Sequence, residues 1–179
     1  MAEARLILDE LKRLNVTHVL TVPDNSSKAL LNLLWAEKSI QVVSVTREGE
    51  AFAIAAGLWV GGQTPVVLIQ NTGLLETGDA LRGTVMRMRV PLLCLITYRG
   101  FAKLQASGLQ VQPEILNADL LSRQDLDSVA LLTEPTLKAW GVPYDFPHND
   151  ADVPKISEAF RRAQELEQPV AVLLTSDTT

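Results

Sequence analysis

Leu6, Leu8, Leu11 and Leu14 form a helical stripe near the start of the chain, and Thr17-His18-Val19-Leu20-Thr21-Val22 reads as the short buried strand that follows. Pro23-Asp24-Asn25-Ser26-Ser27 supplies a turn and a helix N-cap, after which Leu30, Leu33, Leu34 and Trp35 mark a second helix. Ile40 to Val45 is a second strand. Glu48 to Trp59 is a third helix, stopped by Gly61-Gly62. Pro65-Val66-Val67-Leu68-Ile69-Gln70 is a continuously apolar third strand, the pattern of a strand covered on both faces. Asn71-Thr72-Gly73 reads as a turn, Leu75 to Met88 as a fourth helix and Val90 to Thr97 as a fourth strand. Residues 101–128, with Gly108 and Pro113, read as loop and short helix. Glu134 to Trp140 and Pro154 to Leu166 are predicted helices, and Val170 to Leu174 closes as a strand.

This alternation predicts a doubly wound α/β fold. Its sheet is mainly parallel, its crossovers right-handed, and helices cover both faces. No linker, repeat or low-complexity stretch interrupts it, so residues 1–179 are expected to form a single domain. Such sheets bind ligands at the carboxyl ends of their strands. That rule selects three loops: Pro23 to Ser27, Thr46 to Glu48, and Asn71 to Gly73.

Composition narrows the chemistry. With 47% apolar residues the chain is globular, and a net charge of −5 argues against a nucleic-acid partner. The charged start Met1-Ala2-Glu3-Ala4-Arg5 is unlike a secretory leader, and no apolar run is long enough to span a bilayer. A cytoplasmic protein without a membrane partner is expected. The lone Cys94 lies in an apolar run and reads as a buried, inert thiol. His18 and His148 with one cysteine are too few for a zinc site, so no metal ligand is expected on this chain. A dinucleotide fingerprint, a P-loop and a G-x-S-x-G elbow are all absent from the sequence.

Three constellations remain. In Thr46-Arg47-Glu48-Gly49-Glu50-Ala51-Phe52-Ala53-Ile54-Ala55-Ala56-Gly57 a carboxylate sits where a strand meets a helix rich in small residues. The helix dipole favours an acid there, so the pattern alone leaves open whether Glu48 is merely a first-turn residue. Ile69-Gln70-Asn71-Thr72-Gly73-Leu74 gathers two amides, a hydroxyl and a glycine at a strand end. These groups suit a heteroaromatic ring, and equally an ordinary turn. Asp24 either caps a helix or faces a site, and the pattern favours the cap.

Taken in order, Val22-Pro23-Asp24, Arg47-Glu48-Gly49-Glu50-Ala51 through Ala55-Ala56-Gly57, Gln70-Asn71-Thr72-Gly73-Leu74 and Pro91-Leu92-Leu93-Cys94-Leu95-Ile96-Thr97-Tyr98-Arg99-Gly100 resemble the pyrimidine-binding domain of thiamine-diphosphate enzymes. Glu134-Pro135-Thr136 and Trp140-Gly141-Val142-Pro143-Tyr144 match a later segment of the family. The group most similar is that of the sulfopyruvate and phosphonopyruvate decarboxylases, in particular separate alpha subunits. The resemblance covers most of the chain and is weakest over residues 101–132.

The resemblance implies a carbon–carbon lyase that decarboxylates a small 2-oxoacid with thiamine diphosphate. Glu48 matches the family's glutamate, which hydrogen-bonds N1′ of the aminopyrimidine so that the neighbouring amine can take the proton from C2. Asp24 matches an acid placed near the substrate, where it assists proton transfer. Gln70, Asn71, Thr72 and Gly73 would line the cofactor's aminopyrimidine. Asn25 and Arg99 are candidate substrate contacts, Arg99 for a sulfonate or phosphonate.

The Gly-Asp-Gly that holds magnesium and diphosphate in such enzymes is missing, since Gly78-Asp79 continues into Ala80-Leu81. The resemblance therefore implies a separate diphosphate-binding beta subunit that holds the Mg2+. Self-association is also expected, with Gly49, Ala51, Phe52, Asn71 and Leu74 in an interface. The alternative reading is a binding or regulatory module of the same fold without turnover. Loss of the relay carboxylate would mark such a module, and Glu48 and Asp24 are both present.

Overall fold

A computed structural model describes residues 3–178, so the expectations that touch Met1, Ala2 and Thr179 lie outside the described residues. Six parallel strands form one sheet in the order β2-β1-β3-β4-β6-β5. They are β1 (His18–Thr21), β2 (Gln41–Ser44), β3 (Pro65–Gln70), β4 (Leu93–Thr97), β5 (Tyr144–Asp145) and β6 (Val170–Leu174). Alternate residues of the inner strands enter opposite cores. Val67, Ile69, Cys94, Ile96, Ala171 and Leu173 face one side. Val66, Leu68, Leu93, Leu95, Val170 and Val172 face the other. The strands read as unbroken apolar runs because both pleat directions are buried. The two-residue β5 was not predicted; it is too short to leave a period in the sequence.

One face carries α1 (Ala4–Arg13), α2 (Lys28–Ala36) and α9 (Lys155–Leu166). The other carries α3 (Glu48–Val60), α4 (Asn71–Glu76), α5 (Gly78–Ala80), α6 (Phe101–Ser107), α7 (Ala118–Leu121) and α8 (Ser128–Ala139). In α1 the buried stripe is Ala4, Ile7, Leu8 and Leu11; of the predicted stripe Leu8 and Leu11 are buried and Leu14 packs partly against the core, while Leu6 faces solvent. In α2, Leu30, Leu31 and Leu34 are buried, and Trp35 is 55% exposed instead of being part of the core.

A larger correction concerns Asn71-Thr72-Gly73. These residues are the first turn of α4, not a turn before a helix at Leu75. Helical backbone then continues with changes of pitch through α5 and a π-helical segment, Leu81–Met86. α8 also starts six residues before the predicted Glu134 and accommodates Pro135 inside it.

The strand order fixes where a ligand can bind. From β1 the chain moves outward to β2, then crosses back to β3 on the far side of β1. The loop after β1 therefore leads to α2 on one face, and the loop after β3 leads to α4 on the other. Between diverging loops a crevice opens outside the carboxyl ends of β1 and β3. Among the described residues, no helix is long and apolar enough to cross a membrane.

Candidate active site

The loops after β1 and β3 share a cleft through Asp24, Asn25 and Gln70, and the loop after β2 meets the residues after β3 through Glu48 and Gly73. Glu48 is the first residue of α3, and Arg47 before it is still extended. Its side chain lies flat against Gly73 in the first turn of α4. A Cβ placed on Gly73 would fall 2.2 Å from Glu48 Cγ and 2.3 Å from both Cδ and Oε1. Only a glycine leaves that space, so the two motifs read separately in the sequence are one structural unit. Glu48 is half-buried, and among the described residues no hydrogen bond or ion pair engages its carboxylate. The positive end of α3 favours the charge.

The residues around Glu48 are, by contrast, tied down. Glu50 folds back so that Oε2 accepts from Thr46 N at 3.0 Å, Thr46 Oγ1 at 2.9 Å and Arg47 N at 3.3 Å. The Thr46 hydroxyl first, then the Thr46 and Arg47 amides, hold the Glu50 carboxyl below its ordinary range. Glu76 at the end of α4 accepts from Gly49 N at 2.8 Å and pairs with Arg47 Nε at 3.2 Å. Glu76 was not singled out from the sequence. Its role depends on α4 starting at Asn71, a register that the turn reading of Asn71-Thr72-Gly73 hides.

Asn71 is fully buried and faces inward. Its Nδ2 donates to Arg99 O at 3.0 Å and to Thr133 Oγ1 at 2.9 Å, and its Oδ1 accepts from Arg99 N at 3.1 Å. The carboxamide imitates a peptide group and prolongs the β3–β4 ladder past the Gln70–Thr97 pair. It holds the floor of the crevice, with both its N–H groups in use. Gln70 and Thr72 remain at the rim, where Thr72 Oγ1 donates to Gln70 Oε1 at 2.9 Å.

Asp24 forms the opposite wall. Its carboxylate accepts from Ser26 N at 2.7 Å, Ser27 N at 3.1 Å, Ser27 Oγ at 2.8 Å and Thr97 Oγ1 at 3.3 Å. These bonds tie the loop to itself, but α2 begins at Lys28 with Ser27 before it, so Asp24 does not cap that helix as the pattern favours. Asp24, Asn25 and Gln70 line a cleft of about 470 Å³ together with Pro23, Lys28 and Trp35. Arg99 lies elsewhere. Its side chain is 59% exposed, pairs with Asp127 at 2.9 Å and lines a different depression with Lys103 and Ser176. The structure thus does not bring Asn25 and the Arg99 guanidinium together.

Of the residues expected in an interface, Ala51, Phe52, Asn71 and Leu74 are inside the chain's own core. The side of α3 that does face solvent presents Ile54 and Val60. Burial pushes the Cys94 thiol well above its ordinary value, in keeping with an inert residue. No group of acids, histidines and cysteine suited to a metal ion occurs among the described residues.

Comparison with known proteins bears on family and fold. The family described as "Thiamine pyrophosphate enzyme, N-terminal TPP binding domain" matches residues 1–120. The sulfopyruvate decarboxylase subunit alpha of Methanococcus maripaludis is 31% identical over 160 residues, which is 89% of this chain and 86% of that one. The phosphonopyruvate decarboxylase of Streptomyces hygroscopicus is 35% identical over 100 residues, covering 56% of this chain and 25% of the relative. Among solved structures, the benzoylformate decarboxylase of Polynucleobacter necessarius superposes with a TM-score of 0.68 at 23% identity, over 98% of this chain and 30% of its own. This last likeness speaks for the fold alone. The chain spans only a fraction of these two longer enzymes.

Proposed function

Because the chain belongs to the family of thiamine pyrophosphate enzyme N-terminal TPP binding domains, we propose that it is the cofactor-activating subunit of a thiamine-diphosphate-dependent 2-oxoacid decarboxylase. A diphosphate-binding beta subunit, in this reading, holds the Mg2+ and the diphosphate. Residues 1–179 act as one pyrimidine-binding domain. The observation that carries the proposal is the Glu48 carboxylate, which lies against Gly73 and is engaged by no hydrogen-bond donor among the described residues. A carboxylate in that state suits the ring nitrogen of an aminopyrimidine.

Thiamine diphosphate, when bound, supplies the carbon acid that adds to a 2-oxoacid and the positively charged ring that accepts electrons as CO2 leaves. Glu48 shares a proton with N1′ of the aminopyrimidine. Gly73 leaves room for the Glu48 side chain that would meet the aminopyrimidine. Gln70 and Thr72 line the ring's edge with neutral polar groups, and Asn71 holds their loop. Asp24 and Asn25 face the substrate from the other wall. With four donors on its carboxylate, Asp24 serves there as a fixed acceptor near the reacting atoms. The substrate is a small 2-oxoacid of the sulfopyruvate or phosphonopyruvate type, as acted on by the named relatives. Arg99 is a peripheral attraction for its anionic group. The partner covers the crevice.

The test is Glu48→Gln in the complex reconstituted with a diphosphate-binding subunit. Size and packing persist, so thermal stability and assembly should match the wild type. Exchange of the cofactor C2 proton and decarboxylation should each fall by about 10²-fold or more, the scale of acid–base catalysis. C2 exchange at the wild-type rate would remove the assignment.

A further inference from the structure

We infer that Glu76 is a positioning residue for Glu48, a clamp that sets where the relay carboxylate stands. The inference rests on the reading of Glu48 given above. Glu76 contacts the residues on either side of Glu48 and not Glu48 itself: Oε1 pairs with Arg47 Nε at 3.2 Å, and Oε2 accepts from Gly49 N at 2.8 Å. Gly49 is the second residue of α3, and its amide is one of the first-turn donors that an α-helix leaves without an internal partner. The usual acceptor for such an amide is an oxygen on the N-cap side chain, and Arg47 at the N-cap has none, while Glu50 serves Thr46 and Arg47. The Gly49 amide is thus satisfied from another helix.

That other helix is the one that carries Gly73. Glu76 lies three residues beyond Gly73 in α4, so the two side-chain positions share a face. One helix supplies both the surface against which Glu48 rests and the anchor that holds the start of α3 down onto it. Gly49 takes part by its lack of a side chain, since a Cβ there would lie 3.3 Å from Glu76 Oε2. Two contacts close a small ring, from Glu76 to Gly49, through Glu48 to Gly73, and back along α4. Without the Glu76 link the first turn of α3 keeps its cap from Glu50, so the helix still forms. Its distance from α4 is then no longer fixed at the point where the carboxylate must meet the ring. Misplacement by about 1 Å is enough to cost a catalytic group much of its effect.

The experiment compares Glu76→Ala, Glu76→Gln, Glu48→Gln and the double variant Glu48→Gln/Glu76→Ala in the reconstituted complex. Three quantities are read: C2-proton exchange, melting temperature, and hydrogen–deuterium exchange of the Gly49 amide in the full chain. Glu76→Ala should slow C2 exchange on the order of 10-fold, with melting temperature and assembly unchanged and Gly49 amide exchange accelerated. Glu76→Gln keeps an acceptor for Gly49 N and loses only the ion pair with exposed Arg47, so it should recover C2 exchange to within about 3-fold of wild type. In the double variant, removal of the clamp should add nothing to the loss caused by Glu48→Gln, because the clamp acts only through that carboxylate.

A Glu76→Ala complex with wild-type C2 exchange overturns the clamp, as does a loss that adds in full to that of Glu48→Gln or that follows a fall in melting temperature. The two readings separate cleanly. If Glu48→Gln slows C2 exchange and Glu76→Ala does not, only the clamp is wrong. If Glu48→Gln itself has no effect, or the wild-type complex shows no C2 exchange, the cofactor assignment fails and takes the clamp with it.

Discussion

Two carboxylates stand just beyond the carboxyl ends of neighbouring parallel strands, and their surroundings are opposite. Asp24, after β1, receives four hydrogen bonds from Ser26, Ser27 and Thr97. Glu48, after β2, receives none from the described residues, although amides on both sides of it are bonded to other carboxylates. The local chemistry available to the two is similar, since each lies in a loop that leads into a helix. The difference is where the acceptors point. Asp24 turns back on its own loop and uses its charge to hold the backbone. Around Glu48, that task is divided between Glu50 and Glu76, which leaves the middle acid free for a partner from outside. An acid is a better candidate for proton transfer when neighbouring residues have relieved it of structural work.

The sharpest way to break this comparison is at Gly73. Gly73→Ala puts a methyl group where Glu48 Cγ now lies, 2.2 Å from it, and the flexible side chain must move. Folding should survive, while C2 exchange in the reconstituted complex falls about 10-fold or more, as expected for a displaced catalytic group. Wild-type exchange in Gly73→Ala would mean that the observed placement of Glu48 is not the working one.

Asp24 should respond in the other currency. Asp24→Ala removes the acceptor for two loop amides and two hydroxyls, and chemical denaturation should show a loss of about 1–2 kcal/mol. Asp24→Asn, which keeps one acceptor oxygen, should leave C2 exchange close to wild type. A fall as deep as that of Glu48→Gln would make Asp24 a proton carrier and erase the distinction.

Arg99 ranks lower. Its charge already has a partner in Asp127 and its side chain is largely in solvent. Arg99→Ala should raise KM for a sulfonate- or phosphonate-bearing 2-oxoacid by no more than about 3-fold, the scale of a screened surface charge. Steady-state kinetics with such a substrate beside pyruvate would reveal a larger, selective rise and so promote Arg99 to a direct contact.

Smallest is the effect of Glu50. Its carboxyl is held below the ordinary value of 4.5, chiefly by the Thr46 hydroxyl. A lowered folded-state value means that the carboxylate's contribution to stability is present above about 4.5 and is lost as pH falls through the lowered value. Melting curves of wild type and Glu50→Gln should therefore differ slightly at neutral pH and converge as the medium is acidified below 4.5. A gap that widens in acid would show that Glu50 stabilises the helix in some other way than as a charged cap.

Much of the architecture was legible because its cause is local. Continuous apolar runs marked β3, β4 and β6, and Gly61-Gly62 marked the end of α3. The strand–helix alternation then implied the parallel sheet, and the carboxyl-end rule selected the loops that follow β1, β2 and β3. The errors have physical reasons as well. Asn71-Thr72-Gly73 has turn chemistry by residue type, yet Asn71 is buried against Arg99 and Thr133, and that tertiary bonding lets a helix start there. The apolar and amide residues Ala51, Phe52, Asn71 and Leu74 were assigned to an interface, and the chain's own core takes them instead.

The sequence by itself determined the strands, the helix faces and the presence of an acid at each of two strand ends, since these follow from residue type and spacing along the chain. Only the tertiary structure decided which acid is free. That depends on contacts between residues far apart in sequence: Glu76 with Gly49, Gly73 with Glu48, and Thr97 with Asp24. Hydrogen-bond satisfaction is a property of where donors end up in space, and a strand order that reverses between β1 and β3 is what brings those donors, or fails to bring them, to each carboxylate.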